Sequence, residues 1–132
     1  PDAARNLEAA RSAADSINAE LGSDLVDYKF LDLAALDSVA DFVERWGNRP
    51  VSILINNAGV MACPLGHTKE GFETQFGTNH LAHFLLTVRL VPALEKGAPS
   101  RVISVSSAAH KMSDIDFDDP NFVERDYHPF QA

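Results

Sequence analysis

At 132 residues with 45% hydrophobic content, the chain has the length of one domain and the composition of an ordinary globular one. Its formal net charge of −8 argues against nucleic-acid phosphates or an anionic membrane surface as partners. No apolar stretch approaches the roughly 18 residues of a membrane span. Cys63 is the only cysteine, which rules out an internal disulfide and fits a reducing, intracellular compartment.

Helical periodicity opens the chain, with Leu7, Ala10, Ala14, Ile17 and Leu21 at three- and four-residue steps and Gly22 as a stop. Leu25 to Leu31 then predicts a strand, in which Val26, Tyr28 and Phe30 alternate with Asp27 and Lys29. Val39, Phe42, Val43 and Trp46 mark a second amphipathic helix, closed by Gly47-Asn48 and Pro50. Val51 to Ile55 is a continuous apolar strand of the kind covered on both faces. A loop through Pro64 and Gly66 leads to a long helix over Lys69 to Lys96, capped by Thr68 and bent near Pro92. Arg101 to Ser106 reads as the third strand, and a polar, irregular segment follows, with a short helical turn near Phe122. Three strands alternating with helices predict α/β architecture, a partial Rossmann-like, doubly wound parallel sheet.

The strand Val51 to Ile55 breaks directly into Asn56-Asn57-Ala58-Gly59. Two small residues there bring the backbone close to a neighbour, and the two carboxamides can fix the turn. In an open parallel sheet, ligands bind at the carboxyl ends of the strands. The later strand ends in Ser106-Ser107, whose hydroxyls either hold a substrate oxygen or cap local backbone. Asn79 is mildly unfavourable inside a helix, which suits an interior role, although a solvent-facing position is the plain alternative. Asp32 stands just past a strand and could cap the helix starting near Ala35.

Three other chemistries fit poorly. His80 and His83 lie one turn apart without a third ligand at convincing spacing, so no metal is expected. The run Asp114, Asp116, Asp118 and Asp119 has Asp119 where a calcium loop needs Gly and Arg125 where it needs Glu. A Gly-x-Ser-x-Gly hydrolase elbow is absent.

On Asn56-Asn57-Ala58-Gly59 after a strand, and on Arg101-Val102-Ile103-Ser104-Val105-Ser106-Ser107, the chain resembles the short-chain dehydrogenase/reductase family. Asn56 to Cys63, with Gly71-Phe72-Glu73 and Asn79-His80-Leu81, is most similar to its retinol-dehydrogenase-like branch. The resemblance implies an oxidoreductase that transfers hydride between NAD or NADP, with NADP favoured, and a small apolar alcohol or carbonyl. It implies catalytic roles for Ser107, which holds the substrate oxygen (Ser106 if the register is off by one), and for Asn79, which supports a proton-relay water through local backbone. It assigns Asp32 to the adenine amine, Asn56 to tying the central strands together, and Asn57, Ala58 and Gly59 to the cofactor's ribose. A homo-oligomer is a candidate assembly.

Two family features are not in these residues. No glycines fall at the Gly-x-x-x-Gly-x-Gly spacing of the phosphate loop, and neither Tyr28 nor Tyr127 has Lys four residues on. The expectation is therefore that 1–132 is a partial NAD(P)-binding domain, truncated at both ends and inactive alone; a non-catalytic remnant or partner-binding fragment is the alternative. In the 3-2-1-4-5-6 strand order of such sheets, the three strands take places three, four and five. The last two should pair, and the first should lack its neighbours.

Overall fold

The computed structural model describes residues 2–132. They form two compact units, one ending at Asp32 and the other spanning Leu33–Ala132.

The first unit holds strand β1 (Asp2–Ala4), helix α1 (Leu7–Leu21) and strand β2 (Tyr28–Phe30), with β1 and β2 paired in parallel. Asn6 starts α1, its side chain accepting the Ala9 N–H at 3.1 Å. Gly22 ends it at φ 62°, a left-handed conformation that glycine adopts without a Cβ clash. The strand expected over Leu25 to Leu31 is shorter than its pattern, because the Asn18 amide captures Val26. Asn18 donates to the Val26 carbonyl and accepts its N–H, both at 2.8 Å, so Val26 stands outside the ladder. β1 was not legible as a strand, since Asp-Ala-Ala carries no β-branched or aromatic residue. It corrects the expected strand count: β2 has a neighbour, and in the 3-2-1-4-5-6 order β1 and β2 take places two and three.

The second unit holds helix α2 (Leu36–Trp46), strand β3 (Ile53–Asn56), a π-helical segment (Phe76–Leu81) running into helix α3 (Ala82–Lys96), strand β4 (Arg101–Ser104) and a 3-10 turn (Ala108–Lys111). β3 and β4 pair in parallel from Ile53 opposite Arg101 to Asn56 opposite Ser104, as expected of places four and five. α2 packs on α3, and the core between elements holds Val39, Phe42, Leu86, Leu90 and Leu94. The end of α3 abuts the start of β3. The Val51 N–H reaches the Ala93 carbonyl at 2.9 Å, and any Cβ on Gly97 would overlap the Val51 backbone.

Two expectations change here. Ile53 and Ile55 of β3 are 56% and 58% exposed, so this strand is not covered on both faces within these residues. The long helix begins at Thr74, not Lys69, because Gly71 at φ 90° interrupts the run. Thr68 serves the preceding turn, accepting the Phe72 N–H. The cap is Glu73, fully buried, whose carboxylate accepts the N–H groups of Gln75 at 2.9 Å and Phe76 at 2.8 Å. The helix runs through Pro92 to Lys96. Each unit pairs two parallel strands with helices, as expected of a partial Rossmann-like α/β fold. Among the described residues no helix is long and apolar enough to cross a membrane.

Candidate active site

A cavity of about 400 Å³ opens at the carboxyl ends of β3 and β4, entirely within the second unit. One side is Asn56 through Met61, continuing from β3. The opposite side is Val105, Ser106 and Ser107, continuing from β4. Gln75, Asn79 and His83 reach it from the helix, and Phe130 closes it from the C-terminal segment.

The β3 side is fixed by the helix. Asn79 makes a reciprocal pair with Val60, accepting its N–H at 2.9 Å and donating to its carbonyl at 2.8 Å. Its carboxamide is thereby engaged at both Oδ1 and Nδ2, and the Asn79 backbone carbonyl is met by the His83 ring, at 2.9 Å from Nδ1. Glycine at 59 permits this approach: a Cβ there would lie 3.3 Å from Asn79 Oδ1. Asn79 sits in the π-helical segment, where Ala82 donates to the Gly77 carbonyl five residues back. Such one-turn departures concentrate at functional sites.

Gln75, one step of four before Asn79, is 4% exposed. Its Oε1 accepts the Ala62 N–H at 3.0 Å, which steadies a residue at φ 54°; its Nε2 donates to Tyr127 Oη at 3.0 Å and to the Pro129 carbonyl at 2.9 Å. The Tyr127 hydroxyl in turn reaches the Cys63 carbonyl at 2.9 Å and Glu73 Oε1 at 3.4 Å. Burial pushes the Tyr127 phenol above its ordinary pKa; the Gln75 amide opposes this and the Glu73 carboxylate adds to it. Asn56 is buried at the foot of the cavity. It donates to Thr87 Oγ1 at 2.9 Å and approaches Ser104 Oγ at 3.5 Å, while its Oδ1 has no partner among the described residues.

Ser107 is exposed at the cavity, where its Oγ accepts the Ala109 N–H at 3.1 Å and caps the 3-10 turn. That bond occupies one lone pair and leaves the hydroxyl proton to donate. Ser106 lines the same cavity. Asp32 closes the first unit and is not among the cavity residues. His80 stacks on Phe76 while His83 bonds to Asn79, so the two imidazoles serve different neighbours. Among the described residues no group of three or more His, Cys, Asp or Glu could hold a metal ion.

A family model for short chain dehydrogenase matches residues 3–117. The chain belongs to the short chain dehydrogenase family. It is 48% identical over 127 residues to human retinol dehydrogenase 13, an alignment covering 95% of this chain and 38% of that protein. The chain thus spans less than half the length of the curated relatives it matches. A crystal structure of an uncharacterized protein from Mycobacterium paratuberculosis superposes with a TM-score of 0.85 at 39% identity, over 98% of this chain and 44% of that one. A metagenomic short-chain oxidoreductase in complex with NADP superposes with a TM-score of 0.64 at 26% identity, over 83% of this chain and 51% of that one.

Sequence reasoning on this dehydrogenase-family chain named Asn56 to Gly59, Asn79 and Ser107, all of which the fold brings to one cavity. It missed Gln75, His83, Thr87 and Phe130. The signal for the first three was the spacing Gln75, Asn79, His83, Thr87, polar side chains recurring every fourth residue along the helix. The expectation that the first predicted strand lacks its neighbours is corrected by β1, which ends at Ala4 and pairs with β2.

Proposed function

We propose that 1–132 is part of the NAD(P)-binding domain of an oxidoreductase that interconverts an apolar alcohol and its carbonyl. The observation that carries this reading is the convergence, at one cavity, of the Ser107 hydroxyl and the Asn79 turn against the small Ala58-Gly59 wall. The residues present fit one side of a dinucleotide site. Gly59 lets that wall pack close against the Asn79 side chain, and carboxyl strand ends are where such ligands bind. A bound nicotinamide supplies a hydride acceptor or donor. The chain's own contribution is positioning and proton handling. In the oxidation direction the alcohol carbon would give its hydride, with the electron pair, to a bound nicotinamide, and the hydroxyl proton would pass to solvent, leaving a carbonyl. Ser107 holds that oxygen by donating its hydroxyl proton. The Asn79 carbonyl orders a water on the proton's route. Asn57, Ala58 and Gly59 face the ribose, Asn56 ties β3 to β4 and α3, and Asp32 accepts from the adenine amine.

NADP is the favoured cofactor. Arg5 stands at the carboxyl end of the strand in place two, where an arginine accommodates the 2′-phosphate. The NADP held by the metagenomic relative agrees with that preference. Retinol dehydrogenase as a relative points to an apolar alcohol.

Steady-state kinetics of the complete protein with retinol and NADP test both halves of the reading. Ser107→Ala should lower kcat by about 10²-fold or more while leaving the KM for NADP in place. Arg5→Ala should raise the KM for NADP and spare that for NAD, and Asp32→Ala should raise both. Wild-type turnover in Ser107→Ala would sink the catalytic assignment.

A further inference from the structure

His83 lines the cavity, is half-buried, and its Nδ1 lies 2.9 Å from the backbone carbonyl of Asn79, whose side chain is paired with Val60. A carbonyl oxygen can only accept, so the 2.9 Å approach of Nδ1 to the Asn79 carbonyl requires the proton on Nδ1. In the neutral ring, Nε2 then carries a lone pair on the opposite side. The same residue is tied at its backbone. Thr87 Oγ1 donates to the His83 carbonyl at 2.8 Å and accepts from Asn56 Nδ2 at 2.9 Å, and Asn56 also approaches Ser104 Oγ. A continuous line of hydrogen bonds thus runs from the Asn79 carbonyl, through His83 and Thr87, to the facing ends of β3 and β4.

We propose that His83 is a positioning residue for the reaction, its Nδ1–H fixing the direction of the Asn79 carbonyl at the cavity. A π-helical turn closes its bonds five residues back, as Ala82 does on Gly77, and so departs from the regular i+4 ladder that aims carbonyls in an α-helix. The imidazole adds a side-chain constraint on the direction of the Asn79 carbonyl. This rests on the oxidoreductase reading of the same cavity for its kinetic consequence, but not for its geometry.

Two measurements on the complete protein test it. Asn places an amide N–H close to where histidine has Nδ1, and Gln places one close to Nε2. His83→Asn should therefore stay within about threefold of wild-type kcat. His83→Gln and His83→Phe should each lose about tenfold or more, with little change in the KM for NADP. The solvent deuterium isotope effect on kcat should rise in the two impaired variants and not in His83→Asn. The opposite order, Gln active and Asn impaired, would overturn the proposal and assign the role to Nε2. Equal kcat in all variants would overturn it too. The second measurement is independent of activity: ¹⁵N NMR of the His83 imidazole should show the Nδ1-protonated neutral tautomer. A ring carrying its proton on Nε2 and none on Nδ1 would refute the geometry even if the kinetics agreed. Should wild type pass no hydride to or from any alcohol or aldehyde, the oxidoreductase reading fails, and the imidazole spectrum still decides the inference.

Discussion

Between Val60 and Cys63 the cavity wall is tied to side chains far along the sequence: Asn79 holds both polar groups of Val60, Gln75 holds the Ala62 N–H, and Tyr127 holds the Cys63 carbonyl. Across the cavity, from Ser106 to Ser113, the ties are local. Ser107 caps Ala109, the His110 ring and N–H return to the Ser107 carbonyl, and Met112 returns to Ala109. Both walls leave the carboxyl ends of paired strands, so the sheet does not explain the contrast. The first wall lies beside the helix, whose rigid length can present two amides one step of four apart; the second folds back on itself. One wall is therefore set before any ligand arrives, and the other can settle around what enters.

The comparison breaks if stability does not follow it. In the complete protein, Gln75→Leu should cost most, about 2–3 kcal/mol, because at a buried position it removes the partners of the Ala62 N–H and the Pro129 carbonyl and one of those of the Tyr127 hydroxyl. Asn79→Leu should cost about 1 kcal/mol, since the two Val60 groups it releases can reach water. Ser107→Ala, on the local wall, should cost about 0.5 kcal/mol despite removing a cap. Urea melts in which Ser107→Ala destabilises more than Gln75→Leu would reverse the assignment of fixed and adaptable walls.

Acid should sharpen the same contrast through the segment that carries Tyr127. The Asp119 carboxylate accepts the N–H groups of Val123, Glu124 and Arg125. The Val123 N–H is the foremost of the bonds that hold its pKa below the ordinary carboxylate value, against the opposing effect of burial. The folded pKa is the lower one, so the stabilisation is complete above the ordinary value and disappears as pH falls through the folded value. Amide protection at Val123 to Arg125 should drop in acid before that of α3. In Asp119→Asn this pH step should vanish. An unchanged step in that variant would show that another carboxylate controls the segment.

Much of this was legible in the sequence where a residue acts on its own neighbourhood. Gly22 ends α1, the parallel pairing of β3 with β4 follows from their places, and Asn57 to Gly59 meet Ser107 at one cavity because strand ends converge. What escaped depends on distant partners. The Asn18 amide shortens β2 from eight residues away along the chain. The cap moved from Thr68 to Glu73 because Gly71 adopts a positive φ and the Glu73 carboxylate is enclosed, neither of which periodicity reports. Gln75 reads as one more polar helix residue until Ala62, Tyr127 and Pro129 are folded around it. β1 has no local signature at all; it is a strand because β2 lies beside it.

The π-helical turn also acts as a correction of angular phase. An α-helix advances about 100° per residue, so positions four apart drift by about 40° at each step. Over the three steps from Gln75 to Thr87 the accumulated rotation would be about 120°, enough to swing the last residue well away from a surface faced by the first. The wider winding over Phe76–Leu81 takes back part of that rotation, because its bonds close five residues apart instead of four. Gln75, Asn79 and His83 can then address one cavity while Thr87 still reaches Asn56. Deleting a single residue from the turn would restore ordinary winding and dephase the row: the hydrogen bonds upstream and those downstream could no longer be made together.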